Sequence, residues 1–365
     1  MASNRPSTLL LRVDGFGWQD CLATGPGSAI LGSLLFSALF PAPMSVKFLL
    51  RVAGTLLLAW AAAAACVALH TPLPWMLGPL VATSVLSMAG APTESWGPLR
   101  NGGQWAIGAA LGLYFTPEVS ALVGSLWWAI VLGIGWALLL GWGFGAWLYR
   151  LHAPRMHGVP ASMLRSTSYF AGAIGAASEM TLLSERENAR TDLVAASHSL
   201  RLLIVTITIP FALQWSGLQG LDILIPTVRD VSWPGLALLA LLTGAGALVM
   251  DRLGRANPWF MGAMLVSMAV TMAGLHLSAV PQAVVNAAQL VIGVSLGVRF
   301  RAEFLHTAPR WLASVAVGTL GLMGICAAFA AVLAWATGLP WVTLLLGTSP
   351  GGITEMAITA KVLQL

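Results

Sequence analysis

Charge is scarce in this chain. Only 8% of its residues are Asp, Glu, Lys or Arg, where a soluble globular domain carries about 25%. With 58% hydrophobic residues and a mean hydropathy of +0.83, too little charge remains to cover a water-facing surface. This excludes a soluble domain and makes lipid the solvent for most of the molecule. Cysteine is scarce too. Cys21, Cys66 and Cys326 lie far apart and form no CxxC pair, which excludes a disulfide framework or a metal knuckle. Catalytic signatures are missing as well: the chain has no nucleophile elbow, P-loop or dinucleotide fingerprint. A copper or iron oxygenase needs clustered ligands, but His70, His152, His157, His198, His276 and His306 are scattered. The expectation is a protein that is not an enzyme and holds no metal or cofactor.

The net charge of +5 rests on eighteen basic residues, sixteen of them Arg, set mostly in short breaks between apolar runs. A nucleic-acid surface gathers its basic residues into a patch or stripe, whereas this spacing follows the positive-inside rule of membrane proteins. The partners expected are therefore the lipid bilayer and a small solute or ion, with no direct nucleic acid. The sequence sets no oligomeric state.

A membrane-crossing helix needs roughly 20 apolar residues. Candidate spans are 49–70, 74–90, 103–115, 119–149 and 193–213, then 233–250, 258–275, 283–298, 311–336 and 339–360. Segment 159–183 differs: Arg165 interrupts it, it is rich in Gly, Ala and Ser, and it carries Glu179 near its end. Residues 1–43 mix polar loop with one short apolar run and read as an N-terminal extension. Met44, followed by Lys47, Arg51 and a strong apolar helix, is the expected start of the fold.

What is abundant is repetition. Pro74-Trp75-Met76-Leu77-Gly78 recurs as Pro258-Trp259-Phe260-Met261-Gly262. Asn101, Gln104, Gly108 and Gly112 recur at identical spacing as Asn286, Gln289, Gly293 and Gly297. A third echo sets Ala177-Ser178-Glu179-Met180 against Ile353-Thr354-Glu355-Met356. Three echoes in one order imply an internal duplication, with repeat 1 at 44–222 and repeat 2 at 223–365. Lys47 and Arg51 place the first N-terminus in the cytoplasm, and Arg100, Arg150 and Arg155 follow on the same side. The loop before Pro74 is then outside, whereas Arg252 and Arg255, just before the matching Pro258, read as cytoplasmic together with Arg299, Arg301, Arg310 and Lys361. Matching loops of the two halves thus lie on opposite faces. The expected fold is an all-α, polytopic transmembrane bundle of two inverted repeats. Each has about five spans plus a re-entrant or broken hairpin, the architecture of many secondary transporters.

At these residues the sequence resembles the AbrB-like membrane protein family, over about residues 44–365. Each half of that family carries Pro-Trp-x-x-Gly, Asn-x-x-Gln and Ser-Pro-Gly-Gly-x-x-Glu-Met signatures. The resemblance implies a multi-pass protein of the bacterial inner membrane. Members are labelled variously as regulators of gene expression and as ammonia monooxygenases; the residues here do not support the second label. The family shares its name with a small soluble DNA-binding regulator, to which this chain has no similarity. The first repeat continues past Glu179 into a further span, whereas the second stops ten residues after Glu355. The second repeat therefore reads as C-terminally truncated relative to the family.

Ionisable groups inside a bilayer are costly and mark function by default. Arg165, Glu179, His198, Arg201 and Glu355 qualify. Glu179 and Glu355 follow runs of small residues that permit a helix break. Ser349, Pro350, Gly351 and Gly352 precede Glu355, with Pro350 suited to a first helical turn. Freed amides at such a half-helix start attract an anion, or each Glu caps them itself. As a substrate site, the pair would face each other across a small polar cavity near the midplane and carry a proton during turnover. His198 and Arg201 share a helix face at i, i+3, as a structural pair near the membrane edge, as partners of Glu179 within the bundle, or as part of a proton relay. Asn101, Gln104, Asn286 and Gln289 read as interhelical hydrogen-bond glue or as substrate contacts, and the Gly-x-x-x-Gly pairs as packing notches. A secondary transporter-like protein leads over a membrane-embedded regulator that acts indirectly.

Overall fold

The computed structural model describes residues 45–156, 158–175, 177–216, 230–300 and 308–362, without the side chains of Ser178 and Val362. The proposed extension 1–43, Met44, the 222/223 repeat boundary, Cys21, His157, Arg301 and His306 lie outside the described residues. The chain divides into two units, Met1–Leu49 and Leu50–Leu365. Of the first, residues 45–49 are described and open the first helix.

The described residues form fourteen α-helices and no strand. The first half holds α1 (Val46–Ala68), α2 (Pro74–Met88), α3 (Gly97–Gly112), α4 (Pro117–Ser125), α5 (Trp127–His152), α6 (Ala161–Gly172), α7 (Ala177–Arg186) and α8 (Thr191–Ser216). The second holds α9 (Trp233–Arg252), α10 (Pro258–Met272), α11 (Gln282–Gly297), α12 (Pro309–Thr337), α13 (Trp341–Thr348) and α14 (Ile353–Val362). Five of these, α1, α5, α8, α9 and α12, are long and apolar enough to cross a membrane. A sixth crossing is available if α3 and α4, bent by 86°, act together. This is a multi-pass membrane protein.

The span pattern departs from expectation in three places. α2 and α10 have 15 residues and α11 has 16, about 22–24 Å of helix against a hydrocarbon core of about 30 Å. The run 119–149 is two helices, because α4 ends at Ser125 and α5 restarts at Trp127. The run 339–360 is broken into α13 and α14 at Ser349–Gly352. There Pro350 cannot donate and forces the residue before it out of helical geometry; Ser349 is extended (φ −66°, ψ 148°).

The duplication is present in the packing. Leu73 and Asn257, each just before the repeated Pro-Trp, both adopt left-handed backbone (φ 46° and 50°). Asn tolerates this conformation; for Leu it is a strained position. α3 packs on α10, and its mate α11 packs on α2. Gly108 and Gly112 of α3 lie against Phe260 and Met264 of α10, while Gly293 and Gly297 of α11 lie against the equivalent Met76 and Leu80 of α2. Residue numbers rise together on both members of each pair, so α3 runs parallel to α10 and α2 parallel to α11. Such reciprocity is what a two-fold-related interface requires. The notches thus act between halves, where missing side chains let backbones approach without hydrophobic driving force. Below them, Leu77, Leu80, Ile107, Phe260 and Ile292 form the buried core.

Candidate functional site

Each half contains a broken helix pair, α6–α7 and α13–α14. Glu179 and Glu355 occupy the third position of α7 and α14, where a carboxylate can fold back onto the freed amides. Glu355 does so: it is only 8% exposed, and its carboxylate lies over Gly352 and its own backbone N–H. Glu179 is half-buried. Behind each carboxylate the next residue closes the break, Met180 packing on Gly175 and Met356 on Gly351. Pro350 lies three residues ahead of α14 and not in its first turn, a correction to the sequence expectation. Ser349 is half-buried and its hydroxyl donates to the Leu346 carbonyl. Both breaks lean on one helix: α7 packs on α6 and α8, and α14 packs on α3, α13 and α8.

α8 is the common support. About 61% of its apolar stretch is buried, against 17–28% for the other four long helices. One face carries His198 and Arg201, which are 1% and 3% exposed. Arg201 Nη2 donates to the Ala173 carbonyl at 2.8 Å and Nη1 to that of Gly172 at 3.2 Å, so a cation caps the C-terminal end of α6, where the helix dipole favours it. Arg201 Nη2 also donates to His198 Nδ1 at 2.9 Å, and His198 Nε2 donates to the Phe170 carbonyl at 2.9 Å. A guanidinium only donates and a carbonyl only accepts. The imidazole is therefore neutral, with its proton on Nε2. The pair clamps the first break through backbone carbonyls; no ion pair to Glu179 is found among the described residues.

Opposite that face, Ser199, Leu202, Leu203 and Thr206 follow the i, i+3, i+4, i+7 rule and form one stripe. They line a cavity with Leu80 of α2, Leu296 of α11 and Arg299 just beyond α11. Its free space is about 10 Å³, room for about one water. Arg299 has Arg100 and Glu355 as charged neighbours. Glu355 joins the cavity through Leu202, which lies against Gly352.

The chain matches the family described as "Transition state regulatory protein AbrB" over residues 75–365. The chain belongs to the AbrB family. It is similar to the candidate regulator AbrB of Escherichia coli (strain K12), 26% identical over 301 residues, covering 80% of this chain and 82% of that protein. It is also similar to the uncharacterised protein YhjN of Bacillus subtilis (strain 168), 24% identical over 326 residues, covering 80% of this chain and 79% of that protein. No solved structure matches.

In this AbrB-family chain the repeated amides do not make the interhelical bonds expected of them. Asn101 accepts from neighbouring Arg100 at 3.3 Å, and Asn286 from Gln282 at 2.9 Å on its own helix. Gln289 is buried and Gln104 half-buried. Arg165, read as an intramembrane charge, is exposed and sits over the Tyr149 ring. Among the described residues no three His, Cys, Asp or Glu side chains could hold a metal ion together. Sequence reasoning missed Ser199 and Thr206, and it took Arg299 for an ordinary cytoplasmic loop residue. One signal was available: Arg299 falls two residues after Gly297, the last residue of the repeated motif.

Proposed function

We propose that this AbrB-family chain is a secondary transporter-like protein of the bacterial inner membrane, not an enzyme, with its site at the interface of two inverted repeats. The observation that carries the reading is the cavity bounded by α2 and α8 of one half and by α11 of the other, beside a broken helix whose Glu355 is buried. Discontinuous helices at a repeat interface are where such transporters hold their solutes. The parallel pairing of α3 with α10 and α2 with α11 supports the inversion. If α2 and α3 are antiparallel across their short loop, then α10 runs opposite to its mate α2. A second reading, a membrane-embedded regulator, is favoured by the name of the Escherichia coli relative and by the family description; it would act through transport or a partner, without touching DNA.

The test is flux of amines and organic acids in proteoliposomes, with Glu355→Gln beside the parent chain. Gln keeps shape and hydrogen bonding but carries no titrating proton. Transport predicts that pH-coupled flux is lost while expression stays normal. A variant of lowered thermal stability with full flux would reduce Glu355 to a helix cap and remove it from the transport mechanism.

A further inference from the structure

The cavity on α8 carries more information than its position. Thr206 is fully buried, lines the cavity, and its hydroxyl has no hydrogen-bond partner. Four other buried helical threonines, Thr55, Thr83, Thr243 and Thr319, satisfy themselves on the carbonyl four residues back at 2.6–2.8 Å. At Thr206 that bond is not made, and a buried hydroxyl left this way is costly. Ser199, two turns earlier on the same stripe, lines the same space. The charge beside it is unbalanced. Arg299 and Arg100 are close enough to interact, Glu355 is the one carboxylate acting on Arg299, and Arg299 has no ion pair within 4.0 Å among the described residues. Glu355 is turned onto the start of α14, so the helix end is already occupied. Among the described residues, what remains is a guanidinium, two hydroxyls and a wall of leucines and Phe300 around a space of one small group.

We propose that this cavity binds a small monovalent anion, a halide ion or formate, held by Arg299 and the hydroxyls of Ser199 and Thr206. Arg299 supplies a positive charge with no ion pair among the described residues, and the apolar wall of leucines and Phe300 makes each charge-assisted hydrogen bond count for more than it would in water. The inference rests on the transport reading for the importance of this interface, but binding is measurable without flux.

The full chain, purified in detergent, is titrated with sodium chloride or sodium formate at constant ionic strength. Sodium gluconate, too bulky for the cavity, is the balancing salt. The expected result is a saturable rise in melting temperature. Chloride alone being active points to a halide site, and formate to a carboxylate site. Thr206→Val keeps the shape and should weaken the apparent affinity about tenfold or more, and Arg299→Gln at least as much. Thr319→Val, whose hydroxyl is committed to its own helix, should leave the affinity unchanged. If no salt saturates, or Thr206→Val responds like the parent chain, the anion site is wrong, whether or not Arg299→Gln folds. Saturable binding without flux of the same anion would keep the site and remove the transport reading. Flux of an amine with no anion binding would do the opposite.

Discussion

Gly293 of α11 lies against the carbonyl of Met76 on α2, so close that a methyl group on the glycine would sit 2.6 Å from that oxygen. Its mate Gly108 stands in the same relation to the carbonyl of Phe260. Backbone cannot withdraw as a flexible side chain can. Gly293→Ala and Gly108→Ala are therefore expected to destabilise the chain by about 1–3 kcal/mol each, the ordinary cost of overpacking. Gly102 is helical too, but a methyl group there meets nothing within 4 Å; Gly102→Ala should be neutral or stabilise by up to about 1 kcal/mol. Thermal unfolding of the detergent-solubilised chain would compare all three, and equal losses would deny the notches any special role.

Arg201 caps the end of α6 through carbonyls that carry no other described bond from a side chain. Arg201→Gln removes the fork and the charge together, and should cost about 2–4 kcal/mol because buried acceptors lose their donors. Arg201→Lys keeps the charge but cannot span the same carbonyls, so roughly half of that loss is expected. Hydrogen exchange should place the loosening at α6 and α7. A uniform loss across the chain, or none, would argue against the clamp.

Membrane sidedness is the third prediction. Gly90 and Leu275 lie just past the ends of the equivalent helices α2 and α10 and are both exposed. Inverted repeats require single cysteines at these two positions to be labelled from opposite faces of the membrane. The first half offers an internal check, because Arg51 lies 3.7 Å from Glu94 and Thr55 Oγ1 accepts from the Glu94 amide. Cysteines beside Arg51 and beside Gly90 should therefore share a face. Labelling of positions 90 and 275 from one side would exclude inversion.

Several features were legible before any coordinates. The apolar composition identified the solvent, and three echoes identified the duplication, because residue identities at fixed spacing survive in a single sequence. The two Glu residues and the His198/Arg201 pair were visible as rare charges in apolar surroundings. Their partners were not visible. Arg201 bonds carbonyls, which every residue possesses and which leave no mark in composition. The break at Ser349–Gly352 was legible in its small residues and Pro350, although hydropathy alone ran one continuous span through it.

The sequence by itself determined that this is a helical membrane protein built twice over, since hydrophobicity and repetition are properties of residues in order. Only the tertiary structure decided what the repeated parts do. It set the Gly-x-x-x-Gly notches between halves instead of within them. It turned Glu355 back onto its own helix. It also brought Arg299 and Thr206 to one cavity, although α9, α10 and α11 separate them along the chain. The physical reason is that close backbone approach, buried carbonyls and an unpartnered hydroxyl arise from helices meeting in three dimensions, and no spacing rule along one helix encodes them.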